Sequence, residues 1–266
     1  MIDIQNQEDS RNIAIDRVGV KNLSYPVTVL DRKKKTQQTI GSINMYVNLP
    51  HHFRGTHMSR FVEILNEHHS DLHIEKIGLI LQKMKDKLHA QEAQMEVCFP
   101  YFIEKKAPVS GARSLMEYRC TYLGRLTDRK DFILSVQIPV TTLCPCSREL
   151  SDRGAHNQRS IVTIQIRSKK LVWIEEIIEY AEESASSPVY ALLKRQDEKA
   201  VTERAYDHPM FVEDIVRDIA EKLNRDERIL WYHVESENFE SIHNHSACAA
   251  VEKHKTESCD SLGRFQ

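Results

Sequence analysis

The sequence predicts an α+β fold in which antiparallel strands form a sheet and helices pack on one of its faces. Apolar and polar residues alternate at 132–140 and 161–166, with many β-branched side chains, and this pattern is typical of strands. Apolar residues recur every three or four positions at 172–183 and 211–223, which indicates helices. Runs of strands interrupted by groups of helices are typical of α+β architecture.

The predicted elements follow a similar order in both halves of the chain: two strands, then helices, then two more strands. We expect strands at 18–30, 39–49, 94–104, 115–126, 130–140, 160–167, 229–239 and 246–252. We expect helices starting near Gly55 and Asp71, at 172–183, from Pro188 toward Tyr206, and from Pro209 through Leu223. The repeated order predicts two tandem modules, 1–128 and 129–266, although no residue-level repeat accompanies it.

Composition and charge exclude several classes of protein. The chain has 266 residues, of which 41% are hydrophobic and 29% charged, and this is a globular composition. Its formal net charge of −2 argues against nucleic-acid binding driven by bulk electrostatics. No apolar stretch approaches the roughly 18–20 residues that a membrane span needs, and MIDIQNQEDSRN lacks the regions of a signal peptide. We therefore expect a cytoplasmic protein that binds neither nucleic acid nor membrane.

A long loop at 141–159 separates two predicted strands and carries Cys144, Cys146 and His156, residue types that bind soft and borderline metals. Their spacing matches no zinc finger, and three residues are too few for a closed structural site. A catalytic metal site needs three protein ligands and an open position, so one more ligand from another part of the chain would complete it. From spacing alone, the loop is either part of such a site or simply a capped, hydrogen-bonded loop. Candidates for a further ligand are Asp197, Glu198 and Glu203 in one predicted helix and Glu240, His243 and His245 near a hairpin.

Five segments together resemble the type IB GTP cyclohydrolase I family. They are TTLCPCSRELSDRGAHNQRS at 141–160, GTHMSRF at 55–61, DEKAVTERAY at 197–206, HPMFVED at 208–214 and ESIHNHSA at 240–247. The resemblance implies a tunnelling fold, which consists of two tandem modules of antiparallel sheet with helices on one side. It also implies a homotetramer in which the sheets form barrels and the active sites lie at subunit interfaces. The implied reaction converts GTP and water to 7,8-dihydroneopterin triphosphate and formate, the first step of folate biosynthesis.

The resemblance further implies that Cys144, His156 and Glu198 bind a divalent metal ion, which would be zinc, manganese or iron. Such a mixed set of ligands leaves a position open and suits several divalent ions, and a metal there lowers the pKa of a bound water. Cys146 would contact the reacting ring, and it is also the alternative to Cys144 as the thiolate ligand. We therefore expect both Cys144 and Cys146 to be catalytic residues.

The remaining implied roles concern proton transfer and substrate binding. His243, oriented by Glu240, would donate and accept protons during opening of the guanine imidazole ring. Glu213 would accept hydrogen bonds from the guanine N–H groups, and such buried-partner matching explains a preference for this purine. The other expected substrate-binding residues, with the cations among them holding the triphosphate, are His57, Arg60, Lys194 and Arg195.

Three other functions stay open on the sequence alone. One is a cyclohydrolase of the same fold that makes a cyclic-phosphate dihydroneopterin. Another is a non-catalytic purine- or pterin-binding protein, which would have no need of the set Cys144, His156, Glu198 and His243. The third is a zinc-storage or structural zinc protein, which the incomplete set of loop ligands disfavours.

Overall fold

The structure is a computed structural model that describes residue 5 and residues 7–68 and 74–255. The chain divides into two compact units, one formed by Met1–Ile103 with Leu115–Val136 and the other by Glu104–Ser114 with Gln137–Gln266. The predicted helix start at Asp71 lies outside the described residues. The division into modules at residue 128 stays a prediction.

The first unit contains five strands and two helices. Its hydrogen-bonded strand order is β1-β2-β3-β4-β5, and β2 pairs antiparallel with both β1 and β3. The helix α2 packs against the sheet, since a Cβ atom placed on Gly124 of β4 would lie 2.6 Å from Ile77 Cγ2 of α2. The elements are β1 (Ile15–Asp31), β2 (Lys35–Leu49), α1 (Met58–His68), α2 (Ile74–Leu88), β3 (Ala93–Lys106), β4 (Arg113–Leu126) and β5 (Lys130–Leu143). The ends of β3 and β4 and the second part of β5 belong to the other unit.

The second unit has the strand order β5-β6-β8-β9, with the short strand β7 paired antiparallel to β5. The pairs β6–β8 and β8–β9 are antiparallel, and α6 contacts both β8 and β9. Its core consists of alternate strand residues such as Val162 and Ile164 and the apolar stripe of α6, including Ile215 and Ile219. The elements are α3 (Pro145–Leu150), β6 (Asn157–Ser168), α4 (Ile174–Glu183), β7 (Ser187–Pro188), α5 (Arg195–Asp207), α6 (Val212–Arg225), β8 (Ile229–Asn238) and β9 (Ala247–His254).

The predicted α+β class with an antiparallel sheet is confirmed, but two local predictions differ from the structure. The loop predicted at 141–159 is shorter, because β5 extends to Leu143 and β6 begins at Asn157, and it contains α3, where Cys144 caps a helical turn that Pro145 favours at its first position. The helix predicted from Pro188 begins only at Arg195, and Ser187–Pro188 instead pair with Thr141 and Val140.

Within the part of the chain that the structure describes, no helix is long and apolar enough to cross a membrane.

Candidate active site

Cys144 and His156 start from neighbouring backbone positions at the two ends of the site loop. The amide of Cys144 donates to the carbonyl of His156 at 3.1 Å, and the amide of His156 donates to Ser147 Oγ at 3.2 Å. Cys144 is also the N-cap of α3, where its Sγ accepts a hydrogen bond from the Ser147 amide at 3.4 Å. The loop therefore holds the thiol and the imidazole on one short, hydrogen-bonded frame, while Cys146 is exposed.

The imidazole of His156 is fixed through its Nδ1 atom. Nδ1 lies 3.0 Å from Gln158 Oε1 and 3.7 Å from Glu240 Oε2. The side chains of His156 and Glu240 are only 12% and 10% exposed, so this contact is largely shielded from water. These contacts engage Nδ1 and leave Nε2 as the ring atom for a ligand. Sequence reasoning placed Glu240 beside His243 and did not predict its contact with His156.

A chain of buried polar side chains continues from Gln158 into the unit. Gln158 Nε2 donates to Thr142 Oγ1 at 2.8 Å, and Thr142 Oγ1 lies 2.9 Å from Ser160 Oγ. All three side chains are buried. Sequence reasoning missed these residues, although Gln158 and Ser160 stand at positions where strand alternation calls for apolar side chains like Val162.

Glu198, the expected carboxylate ligand, is exposed near the start of α5. No group of three His, Cys, Asp or Glu side chains among the described residues is arranged to hold a metal ion. Cys144, His156 and Glu198 therefore do not form a complete site within the described part of one chain. The chemistry of Cys144 and His156 still fits one side of a divalent-metal site, because a ligating histidine commonly has its other ring nitrogen bound to a carboxylate or amide oxygen.

Asp197 fixes the start of the helix that carries Glu198. Its carboxylate accepts hydrogen bonds from the amides of Val109, Ser110 and Lys194, at 2.8–2.9 Å, and from Ser110 Oγ at 2.6 Å. Burial opposes ionisation of Asp197, but these hydrogen bonds, led by that of the Ser110 hydroxyl, hold its pKa well below its usual range. The buried neighbour thus stabilises the position of an exposed candidate ligand.

Lys105 anchors the segment that leads into α5, and sequence reasoning missed it as well. Its side chain is 11% exposed, and Nζ donates to Glu182 Oε1 at 2.7 Å and to the Val189 carbonyl at 2.8 Å. Nζ also lies 4.5 Å from the centroid of the Tyr190 ring. Burial lowers the pKa of Lys105, and the carboxylate of Glu182 opposes that shift.

The predicted proton-transfer residue His243 is exposed and stacks on His245, with ring centroids 5.1 Å apart and an angle of 18° between the rings. Glu213 is exposed in the first turn of α6, and Lys194 and Arg195 are exposed at the start of α5. These side chains are accessible to a substrate.

The predicted substrate residues His57 and Arg60 lie in the first unit, at the start of α1. Arg60 Nη1 donates to the Lys87 carbonyl at 2.7 Å, which ties α1 to the end of α2. This bond uses one of the several donors of the guanidinium, so the proposed contact of Arg60 with the triphosphate remains a prediction.

A family model described as type I GTP cyclohydrolase folE2 matches residues 1–249. Among the curated relatives, GTP cyclohydrolase FolE2 of Syntrophotalea carbinolica is 61% identical over 252 residues, covering 95% of this chain and 95% of its own. The FolE2 proteins of Geobacter metallireducens and Syntrophus aciditrophicus are each 60% identical, covering 96% and 95% of this chain and 98% and 100% of their own.

Similar solved structures include urate oxidases. The enzyme from Bacillus sp. TB-90 has a TM-score of 0.55 and 9% identity, covering 91% of this chain and 100% of its own. The enzyme from Bacillus subtilis 168 has a TM-score of 0.53 and 8% identity, covering 90% and 98%. At such low identity the likeness shows the fold alone, and that fold is the tunnelling fold.

Proposed function

Because the chain belongs to the type I GTP cyclohydrolase FolE2 family, we propose that it converts GTP and water to 7,8-dihydroneopterin triphosphate and formate, the first step of folate biosynthesis. The observation that carries the proposal is the arrangement of Cys144 and His156 on one hydrogen-bonded loop. The thiol is available at a helix cap, and the imidazole is held at Nδ1 with Nε2 remaining for a ligand. A thiolate and an imidazole are two of the ligand types that a catalytic metal site with an open position uses.

In the proposed site, Cys144, His156 and Glu198 hold a divalent metal ion, which is zinc, manganese or iron. When bound, such an ion supplies Lewis-acid activation of water near neutral pH. Cys146 is exposed two positions from Cys144 and is free to contact the reacting ring. Glu240 is proposed to orient His243, and its carboxylate also lies 3.7 Å from His156 Nδ1.

Opening of the guanine imidazole ring requires protons to be delivered to its nitrogens and removed from water. The exposed imidazole of His243 is the group proposed to move these protons, because imidazole exchanges protons near neutral pH. Glu213 is proposed to accept hydrogen bonds from the guanine N–H groups. Lys194 and Arg195, both exposed, are proposed to bind the triphosphate with His57 and Arg60.

We also propose that the protein works as a homotetramer in which a second copy of the chain completes each site. The lack of a three-ligand cluster among the described residues of one chain supports this proposal. So does the position of Glu198, which is exposed and thus accessible to another subunit.

The test is turnover of GTP by metal-stripped protein to which zinc, manganese or iron(II) is added back, with formate and the pteridine product both measured. Metal-dependent release of both products is expected. Cys144→Ala should lower metal affinity and turnover by more than about 100-fold, while Glu213→Ala should mainly raise KM for GTP. Cys248→Ala, which removes an exposed thiol on β9, is the matched control and should retain activity.

Other outcomes would replace the proposal. A cyclic-phosphate product identified by mass spectrometry would assign the alternative reaction on the same fold. Tight GTP binding without turnover in any metal would indicate a purine-binding protein. Full activity with bound metal in Cys144→Ala would exclude Cys144 as a ligand.

A further inference from the structure

We infer that Gln158 is a positioning residue that fixes His156 in the Nδ1–H tautomer and thereby leaves the lone pair on Nε2. The value of that lone pair to a metal ion rests on the proposed function, whereas the tautomer itself does not.

Gln158 is the first member of a buried polar chain and the member that contacts the imidazole. Gln158 is only 7% exposed and bridges two partners. Its Oε1 lies 3.0 Å from His156 Nδ1, and its Nε2 lies 2.8 Å from Thr142 Oγ1. Ser160 Oγ lies on the far side of Thr142, at 2.9 Å. Because water is excluded from this chain, each polar atom must find its partner among the others.

A glutamine amide can be placed in two orientations of almost identical shape, and only its surroundings distinguish them. In one, Oε1 accepts a hydrogen bond from Nδ1–H of His156. In the other, the amide N–H donates to an unprotonated Nδ1, and Thr142 donates to Oε1. Thr142 and Ser160 can satisfy either arrangement, so the chain alone does not decide.

Glu240 decides between the two orientations. Its Oε2 lies 3.7 Å from the same Nδ1 atom, and an ionised carboxylate can only accept hydrogen bonds. A lone pair on Nδ1 would face this negative charge at close range, whereas an N–H group there is attracted to it. Two acceptors, the Gln158 oxygen and the Glu240 carboxylate, thus converge on one ring nitrogen, which must carry the hydrogen.

A neutral histidine with hydrogen on Nδ1 has its lone pair on Nε2, which can then bind a metal or accept a proton. In water the free side chain favours the opposite tautomer. Gln158 accepts the hydrogen bond from Nδ1–H and Glu240 opposes the other amide orientation, so the two residues together favour the less common form before any ligand binds. Such preorganisation lowers the cost of binding, and its loss commonly weakens metal affinity by about 10–100-fold.

The test is the tautomer of His156 in the full-length, metal-stripped protein, read from ¹⁵N shifts of selectively labelled histidines at about pH 8.5, where unperturbed imidazoles are neutral. The His156 signal is assigned by its loss in His156→Asn. We expect Nδ1–H in the native protein and a substantial population of Nε2–H in Gln158→Leu. We also expect the zinc affinity of Gln158→Leu, measured without GTP, to be about 10–100-fold weaker.

Thr142 offers a matched pair of variants. Thr142→Val removes the acceptor of the Gln158 amide and should allow mixed tautomers, whereas Thr142→Ser keeps the hydroxyl and should preserve Nδ1–H. Ser186→Ala serves as a folding control, because Ser186 Oγ accepts a hydrogen bond from the Leu143 amide in the same region but is not a member of the buried polar chain. It should leave the tautomer unchanged.

Two results would overturn the inference: Nε2–H in the native protein, or pure Nδ1–H in Gln158→Leu, which would give the role to Glu240 alone. Because the tautomer is measured without metal and without GTP, failure of the proposed reaction would leave this result intact. An unexpected tautomer would likewise not contradict the proposed reaction.

Discussion

Gly78 lies inside α2, where glycine lowers the stability of a helix because its backbone is unusually free in the unfolded chain. A Cβ atom at this position would have Lys130 Nζ as its nearest neighbour, at 3.6 Å, which is an ordinary contact with the end of a flexible side chain. We expect Gly78→Ala to raise the free energy of unfolding by about 0.5–1 kcal/mol, as measured by urea denaturation.

Gly19 in β1 is the matched contrast to Gly78. A Cβ atom there would lie 1.9 Å from the carbonyl oxygen of Met45, and a backbone atom of a paired strand cannot move aside. Gly19→Ala should lower the free energy of unfolding by at least about 1–3 kcal/mol. Equal effects of the two substitutions would show that the environments described for these glycines are wrong.

Individual residues of the candidate site differ in how well the sequence reveals them. Cys144 and His156 are visible because thiol and imidazole are uncommon in a strand-to-strand loop, and the structure places their backbones together. The contact between Glu240 and His156 joins distant parts of the chain, so no local pattern could predict it. Gln158 could have been suspected, since a polar residue stands on the buried side of a strand.

At the scale of elements, the hydrogen bonds of Asp197 fasten the turn at 107–112 to the start of α5. Asp197→Ala removes all four of these hydrogen bonds, and Asp197→Asn replaces one acceptor oxygen by a donor. We expect thermal stability to fall in the order native, Asn, Ala. We also expect limited proteolysis at 107–112 to become several-fold faster, because cleavage follows local opening.

Glu203→Gln is the control for this helix. Glu203 is 63% exposed and forms a surface ion pair with Lys199 at 3.7 Å, so its loss should change neither stability nor cleavage measurably. If Asp197→Ala and Glu203→Gln were cleaved at the same rate, the turn would not depend on Asp197.

Long elements were predictable from periodicity, and short ones were not. The strands and the helices α4 and α6 extend over enough residues for their repeats to be recognised. The helix α3 has six residues and β7 has two, which is too short for either pattern. The start of α5 was misplaced at Pro188 because proline is compatible with both a helix start and a strand.

At the scale of the whole molecule, the class of fold and the family were predictable, whereas the assembly of the site was not. Motif segments spread along the chain identified the family. The fold itself is shared with urate oxidases of very different sequence, so it does not determine the reaction. The contacts that place Cys144 beside His156 and His156 beside Glu240 are tertiary contacts that no motif encodes.

Mixed oligomers test whether a second copy completes the site. Cys144→Ala and Glu198→Ala subunits with different tags are co-expressed, and oligomers carrying both tags are purified. If the ligands come from different copies, some sites in the mixed oligomer are intact, so it should regain GTP turnover that each variant alone lacks. Mixed oligomers without activity would show that each chain supplies its own complete set of ligands.

The hydrogen bonds between the turn at 107–112 and Asp197 also bear on how such a chain can evolve. The donors, Val109 and Ser110, are encoded in the first half of the gene, and the acceptor is encoded in the second. A recombined gene that joined either half to an unrelated partner would produce a helix start whose buried carboxylate keeps the Lys194 amide but loses the donors of the turn, or a turn without its acceptor. The two halves of the gene are therefore expected to be inherited together. Substitutions at Ser110 are constrained by Asp197, which the other half encodes.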